Sequence, residues 1–192
     1  MLSHRGPDAF GCYEDNAVYL AHNRLSIIGL DENSNQPMHG PNGTVIVFNG
    51  EIYNYLDLKK TEFLNYEFRS NSDTEVILAL YEKYGFDCVN YLRGMFAFAI
   101  WDASQQSLFC ARDRFGIKPF YYTVKEDGLV FASEMKALLP FVKDIQTNKC
   151  ALEEYLTFQY TLGAETLFQG ISQLMPGHFL IYQKGNLALR KY

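Results

Sequence analysis

The chain has 192 residues, a length that allows one domain with a sizeable hydrophobic core. Hydrophobic residues make up 48% and aromatic residues 16% of the sequence, which excludes a disordered chain and favours a strand-rich globular protein. The net charge of −5 comes from interspersed acidic and basic residues, so there is no basic stripe of the kind that binds nucleic acid.

Targeting and metal-binding signals are absent from the sequence. Residues 1–8 do not follow the basic-then-apolar plan of a signal peptide, and no apolar run is long enough to cross a membrane. The four cysteines form no C-x-x-C pair, and the histidines lack the spacing of metal ligands. We therefore expect a cytoplasmic domain with no metal and no cofactor of its own.

In chain order, the first predicted strands are the apolar residues 18–30 and 44–49, separated by the turn-rich residues 31–43. Four later strand-like runs joined by turns predict an antiparallel meander, followed by a last strand. These runs are residues 95–101, 107–111, 120–124, 129–132 and finally 178–183.

Helical periodicity is found at residues 57–64, 73–84, 134–139 and 149–160. Ser72 followed by Glu75 matches the capping-box pattern, which places Asp73 at the N-terminus of the second helix. Strands mixed with helices that do not alternate strictly predict an α+β layered fold.

The segment at residues 48–54, Phe-Asn-Gly-Glu-Ile-Tyr-Asn, ends an apolar strand with polar residues and a glycine. Backbone N–H groups and an amide side chain in such a place can stabilise an oxyanion, because the donors are fixed before the charge develops. The alternative is that Asn49-Gly50 forms a hairpin turn, and the local pattern alone favours the turn.

Two charged residues have similar double interpretations. Arg24 lies inside an apolar strand, where its guanidinium can clamp a substrate carboxylate or form an internal salt bridge, and spacing alone favours the salt bridge. The helix dipole can simply stabilise the negative side chain of Asp73 at the start of the helix, or Asp73 can accept a substrate ammonium group. Together the two residues would hold both charged ends of a free amino acid.

Eight motifs, in the same order along the chain, resemble the glutaminase domain of glutamine-dependent asparagine synthetases. They are His-Arg-Gly-Pro-Asp (4–8), Arg-Leu-Ser-Ile (24–27), Gln-Pro-Met (36–38), residues 48–54, Ser-Asp-Thr-Glu-Val-Ile (72–77), Gly-Met-Phe-Ala-Phe-Ala (94–99), Arg-Asp-Arg-Phe-Gly-Ile-Lys-Pro (112–119) and Ala-Ser-Glu-Met-Lys-Ala-Leu (132–138).

This resemblance implies an N-terminal-nucleophile hydrolase, a four-layer αββα sandwich with two antiparallel sheets between helices. Such a domain removes ammonia from L-glutamine for a synthetase domain that uses ATP and Mg. The resemblance implies no other role for the clusters at residues 4–8 and 112–114, which we expect to hold loops in place.

By the same resemblance, Arg24 holds the glutamine α-carboxylate, and Leu25, Ser26, Ile27 and Ile28 line the pocket. Asn49 and Gly50 become the oxyanion donors. Glu51 and Asp73 become the acceptors for the α-amino group.

The family's nucleophile is an N-terminal cysteine whose own α-amino group acts as the base, whereas this sequence has Leu2 at its second position. We therefore expect the family's first strand and the synthetase domain to be missing from residues 1–192, and none of Cys12, Cys88, Cys110 and Cys150 to replace the nucleophile.

Three readings follow for the function. The chain is part of a working asparagine synthetase, or a non-catalytic domain that binds an amino acid or a partner chain, or the glutaminase domain of a relative that amidates another acceptor. A homo-oligomer is compatible with the sequence, which does not specify one.

Overall fold

The computed structural model describes residues 2–25 and 34–192. The strands are Ala9–Glu14 (β1), Tyr19–Arg24 (β2), Met38–His39 (β3), Thr44–Ile52 (β4), Gly94–Asp102 (β5), Ser107–Arg112 (β6), Tyr121–Lys125 (β7), Gly128–Ala132 (β8), Ser172–Gln173 (β9), His178–Gln183 (β10) and Asn186–Lys191 (β11). The α-helices are Tyr55–Glu62 (α1), Asp73–Tyr84 (α2) and Lys149–Phe158 (α3).

The central layer is a six-stranded antiparallel sheet with the order β11-β10-β6-β5-β4-β3. Its longest pairing joins β4 to β5, from Thr44 opposite Asp102 to Ile52 opposite Gly94. These strands are rich in apolar residues at successive positions because both faces of the sheet are covered.

One face of the sheet packs against α1 and α2. The core there contains Ile46, Phe48 and Phe98 from the sheet with Ile77 and Leu80 from α2, all buried. α2 begins at Asp73 as the sequence predicts, and the Ser72 hydroxyl caps it by accepting the Thr74 N–H at 3.2 Å. The reciprocal half of the capping box is not formed, because Glu75 accepts from the backbone N–H groups of Arg69 and Ser70 instead.

The opposite face carries a second layer of strands, which is divided into two parts. One part is the β1-β2 hairpin, and the other is a three-stranded sheet with the order β8-β7-β9. Leu20 from the first part, Tyr122 from the second and Phe120 directly before β7 pack on Val47 and Ala99 of the central sheet. The described part of the chain therefore shows a helix layer and two antiparallel strand layers, which are three of the four layers of the predicted αββα sandwich.

A groove separates the two parts of the second layer. Within the described residues, β2 pairs only with β1, and β8 pairs with β7 alone, so each strand has an unpaired edge. Both strands line one cavity of about 480 Å³, whose floor is formed by Val47, Ala97 and Ala99 of the central sheet. We call this space the apolar groove.

The predicted meander is wrong at one connection, since β6 pairs with β10 and not with β7. After β6 the chain leaves the central sheet through a loop organised by two buried residues. The Asp113 carboxylate accepts N–H groups of Phe115, Ile117, Lys118 and Phe96 at 3.0 to 3.2 Å. The Arg112 guanidinium donates to the carbonyls of Gly116, Lys118 and Leu174 at 2.7 to 2.8 Å. These bonds direct β7 into the second layer, and they confirm the predicted loop-holding role of this cluster.

Other predicted elements differ in detail. Strand β1 was not predicted, because its alternating burial leaves it without a continuous apolar run. The predicted helix at 134–139 is wrong: two 3-10 turns, Met135–Ala137 and Leu139–Phe141, occupy this region. Pro140 has no N–H to continue an α-helix. The predicted strand at 18–30 is described only up to residue 25, where β2 has already ended at Arg24.

The cluster at residues 4–8 ties the start of the chain to the segment after β8, as predicted. The Glu134 carboxylate contacts His4 at 2.7 Å, Arg5 at 3.1 Å and Lys136 at 2.9 Å. The Lys136 hydrogen bond, with those of His4 and Arg5, lowers the pKa of Glu134 to about 2. Glu134 is therefore a carboxylate at neutral pH.

Replacing Asp113 should destabilise the fold strongly. Asp113→Ala leaves four backbone N–H groups near a fully buried position without their acceptor. We expect the free energy of unfolding to fall by more than about 3 kcal/mol, against less than about 0.5 kcal/mol for the exposed Asp144→Ala, because each unsatisfied buried donor costs roughly 1–3 kcal/mol. Denaturant unfolding of both variants measures this, and a loss below about 1 kcal/mol for Asp113→Ala would contradict the role of the loop.

Candidate functional site

A polar cavity of about 260 Å³ opens beside β4, the end of β2 and the start of α2. It brings together every predicted site residue within the described ranges: Arg24, Leu25, Asn49, Gly50, Glu51 and Asp73. The predicted Ser26, Ile27 and Ile28 lie outside the described residues. Separate motifs of the sequence thus converge on one small space.

Asn49 and Gly50 lie inside strand β4, so the alternative of a hairpin turn is wrong. The strand continues through Ile52 because residues 49–52 keep their antiparallel pairing with residues 94–97 of β5. The polar residues are placed at the end of a buried strand in the middle of the molecule, where their positions are fixed by the sheet.

Among the described residues, side chains instead of a neighbouring strand hold the edge of β4 beyond the two-residue strand β3. β3 pairs only with Val45 and Ile46. The Phe48 N–H donates to Gln36 Oε1 at 2.6 Å, and the Phe48 carbonyl lies 3.1 Å from His22 Nε2. Four residues further along β4, the Ile52 N–H donates to Asp73 Oδ2 at 2.9 Å.

The Gly50 N–H points to this same edge. In an antiparallel pair, alternate residues direct their backbone groups to the same side, and Phe48 and Ile52 both direct theirs away from β5. Gly50 lies between them and lines the polar cavity. Its N–H is therefore a donor fixed by the sheet and aimed at the cavity.

Glycine is required at position 50 by a close approach of β5. A Cβ atom there would lie 2.1 Å from the Met95 carbonyl oxygen and 2.7 Å from the Phe96 Cα, and the φ angle of 153° is one that other residues rarely adopt. The tight contact fixes the position of the Gly50 backbone relative to β5.

Asn49 supplies a second donor. Its side-chain Nδ2 is buried and has no hydrogen-bond partner among the described residues. Leaving a buried donor unpaired costs roughly 1–3 kcal/mol, so native structures tend to keep one only where a ligand or another function requires it. Asn49 lines the polar cavity and the apolar groove.

Asp73 combines a structural and an electrostatic role. It is buried at the head of α2, and one carboxylate oxygen accepts the Ile52 N–H. Burial raises the pKa of Asp73, the Ile52 hydrogen bond lowers it, and the nearby Glu51 carboxylate raises it. The site therefore holds a carboxylate that a cationic ligand group would stabilise.

Arg24 is the buried last residue of β2, and its Nη1 donates to Asn35 Oδ1 at 2.6 Å. Arg24 and Asp73 both line the polar cavity, so residues of opposite charge surround one small space. Whether Arg24 also clamps a substrate carboxylate stays a prediction.

Two contributors to the site were missed by sequence reasoning: His22 and Gln36. Both line the polar cavity and hold the backbone of Phe48. Strand alternation could have found His22, because residues 20, 22 and 24 share one face of β2. Gln36 could not be placed, because the short β3 that brings it to β4 was not predicted.

None of the four cysteines lines the polar cavity. Cys12 and Cys150 are exposed, whereas Cys88 and Cys110 are buried and their thiol pKa values are raised by burial. Within residues 2–25 and 34–192 no group of three or more His, Cys, Asp or Glu side chains is arranged to hold a metal ion. No described helix is long and apolar enough to cross a membrane.

Residues 1–192 match the family model of a glutamine amidotransferase domain. The glutamine-hydrolysing asparagine synthetase 1 of Bacillus subtilis (strain 168) is 44% identical over 100% of this chain and 31% of that protein. Amidase chry2 of Gibberella zeae is 40% identical over 94% of this chain and 27% of its own length. A putative glutamine-hydrolysing asparagine synthetase 2 of Methanocaldococcus jannaschii is 39% identical over 100% of this chain and 41% of its own length. The chain thus spans between about a quarter and two-fifths of the curated relatives it matches.

Solved structures share the fold at low sequence identity. A B. subtilis glutamine phosphoribosylpyrophosphate amidotransferase complexed with ADP and GMP has a TM-score of 0.64 and 20% identity, covering 90% of this chain and 34% of that one. A glutamine aminotransferase class-II domain protein from Silicibacter pomeroyi has a TM-score of 0.51 and 18% identity, and the match covers 84% of this chain and 72% of that one. These neighbours confirm the predicted α+β sandwich fold.

Substitution of Gly50 tests the close approach of β4 and β5. Gly128 is a matched control, because its φ of 154° is nearly the same but nothing lies within 4 Å of an added Cβ. We expect Gly50→Ala to lower the free energy of unfolding by about 1–3 kcal/mol more than Gly128→Ala does, because the methyl group overpacks the backbone. Equal losses in the two variants, measured by denaturant unfolding, would show that the contact does not constrain the strand.

Proposed function

Because the chain belongs to the glutamine amidotransferase domain family, we propose that its polar cavity binds L-glutamine. The γ-amide oxygen lies at Asn49 and Gly50, the α-carboxylate at Arg24 and the α-ammonium group at Asp73 and Glu51. Leu25 lines the pocket beside Arg24, and the proposal extends to Ser26, Ile27 and Ile28, which follow directly in the sequence.

The observation that carries this proposal is the pair of donors at the end of β4. Within residues 2–25 and 34–192, the Gly50 N–H faces an edge of β4 that has no partner strand at this position, and the buried Asn49 Nδ2 has no hydrogen-bond partner. Attack on an amide carbon places negative charge on its oxygen, and two donors fixed in advance stabilise that charge without reorganisation. A hydrogen-bonded turn would not leave two such donors available.

The charges around the cavity suit the two ends of a free amino acid. An arginine fork matches a carboxylate, and a carboxylate at the head of α2 matches an ammonium group. Binding an ammonium group beside Asp73 would also offset the energetic cost of burying its negative charge, which is the main reason for its raised pKa.

We propose that the nucleophile is a cysteine on an extended segment in the apolar groove, and not one of the four cysteines of this chain. The groove adjoins the polar cavity, since Leu2, His22, Phe48, Asn49 and Ser133 line both. An extended segment there could satisfy the unpaired edges of β2 and β8 together. Accordingly, residues 1–192 by themselves bind glutamine and release no ammonia.

For the whole protein we propose the function that several relatives carry in their names, the glutamine-hydrolysing synthesis of asparagine. Ammonia would pass to a synthetase domain, and ATP and Mg would bind in that domain. A curated relative named as an amidase is 40% identical to the chain, so a reaction other than asparagine synthesis stays a second candidate for the whole protein. On this proposal, the synthetase domain and not the glutamine cavity selects the acceptor.

Removing one charge from the protein and one from the ligand tests whether the α-ammonium group of glutamine lies at Asp73. We expect Asp73→Asn to weaken binding of L-glutamine by roughly ten- to hundredfold, and binding of glutaramate, which lacks the α-amino group, by less than about twofold. Asparagine preserves the shape and can still accept the Ile52 N–H. Calorimetry measures both affinities, and an ammonia assay of the same samples tests whether the chain hydrolyses the amide.

Each outcome of this experiment has a distinct meaning. Equal losses of affinity for L-glutamine and glutaramate in Asp73→Asn would contradict the role of Asp73. If the unchanged chain does not bind glutamine, the proposed function is contradicted. Release of ammonia above background would contradict the proposed source of the nucleophile. Thermal melting of Asp73→Asn checks that the variant is folded.

Glutamine binding should weaken as the pH falls through the raised pKa of Asp73. In the free protein the raised pKa means that Asp73 contributes stability below its unfolded pKa, and this contribution is lost as the pH rises. A bound ammonium group favours the carboxylate, so the sign is opposite for binding. Affinity measured from about pH 7 down to about pH 4 should fall for the unchanged chain and fall less for Asp73→Asn. Identical profiles would show that the titration does not belong to Asp73.

A further inference from the structure

We propose that His22 and Gln36 position the amide-binding end of the site by standing in for a partner strand along β4. The inference rests on the proposed function, since it concerns how the donors for the glutamine amide are held. Neither residue is assigned a contact with the substrate, so both are positioning residues.

The need for such residues arises from the shortness of β3. Its pairing with β4 stops at Met38 opposite Ile46, and the preceding Pro37 has no N–H with which to continue the ladder. Phe48 would then have an unpaired N–H and an unpaired carbonyl in a buried strand, directly before Asn49. Each unsatisfied group would be costly, and the strand could shift to find other partners.

His22 forms a hydrogen bond to the Phe48 carbonyl, and this bond sets the protonation state of the His22 ring. Only a ring N–H can bond to a carbonyl oxygen, so the 3.1 Å contact requires a proton on Nε2. The other nitrogen, Nδ1, is buried without a partner among the described residues, and a second proton there would have no acceptor. Burial lowers the pKa of His22, the hydrogen bond to Phe48 raises it, and the nearby Arg24 lowers it. The ring is therefore neutral and protonated at Nε2.

Gln36 satisfies the N–H and connects the two ends of the site. Its Oε1 accepts the Phe48 N–H at 2.6 Å, and its Nε2 donates to the Thr74 hydroxyl at 3.3 Å. Thr74 follows Asp73 at the start of α2. One side chain thus links the strand that carries Asn49 and Gly50 to the helix that carries Asp73.

The test replaces each side chain with one of similar size that forms no hydrogen bond, His22→Phe and Gln36→Met. Affinities are measured for L-glutamine and for L-norvaline, which has both charged ends but no γ-amide. We expect each variant to weaken glutamine binding by at least about fivefold and norvaline binding by less than about twofold, because one lost hydrogen bond changes binding by roughly that amount. His39→Phe is the matched control, since His39 is exposed on β3 and does not line the polar cavity.

A conservative variant and a spectroscopic measurement separate positioning from general stability. His22→Gln, whose amide can donate to the same carbonyl, should restore most of the glutamine affinity lost in His22→Phe. Nitrogen-15 spectra of the unchanged chain near neutral pH should show His22 as a neutral ring protonated at Nε2, without any ligand.

The outcomes distinguish this inference from the proposed function. If the unchanged chain binds glutamine but the variants lose glutamine and norvaline affinity equally, or lose neither, the inference is overturned. A His22 ring protonated at Nδ1, alone or as the cation, overturns it as well. If the unchanged chain binds no glutamine while His22 shows the expected tautomer, the proposed function fails and the edge geometry stands.

Discussion

The site depends on one physical constraint, the need to satisfy the backbone of β4 where its neighbouring strand ends. A buried strand cannot leave N–H and carbonyl groups unpaired without a large energetic cost. Side chains from three separate parts of the chain meet this need at Phe48 and Ile52: His22, Gln36 and Asp73. Gly50 lies between these bonds, and its N–H is directed to the cavity.

This arrangement explains why structural and functional roles coincide in the same residues. Asp73 begins a helix, accepts the Ile52 N–H and keeps a raised pKa that a cationic group would lower. Gly50 permits the close approach of β5 and at the same time supplies a donor. The loop around Asp113 contributes from a distance, because it directs the chain into the second layer, where β8 forms one wall of the apolar groove.

The sequence predicts those features that depend on local pattern. The limits of α2, the cap at Ser72 and the strand β10 follow from periodicity and turn residues. The sequence does not predict the pairing of β6 with β10, because the choice of partner depends on bonds formed by Asp113 across distant segments.

The site shows the same division. Arg24, Leu25, Asn49, Gly50, Glu51 and Asp73 converge on one cavity as the motifs predict. Strand alternation places His22 on the same face of β2 as Arg24, but its contact with Phe48, like that of Gln36, arises only when the strands are assembled. The local pattern at Asn49-Gly50 favours a turn that the long pairing with β5 rules out. The most direct measurement is a nuclear magnetic resonance titration of the chain with L-glutamine, following the Gly50 backbone amide and the Asn49 side-chain amide. We predict that both signals shift and saturate together at one affinity; saturable binding that leaves both signals unchanged would contradict the account.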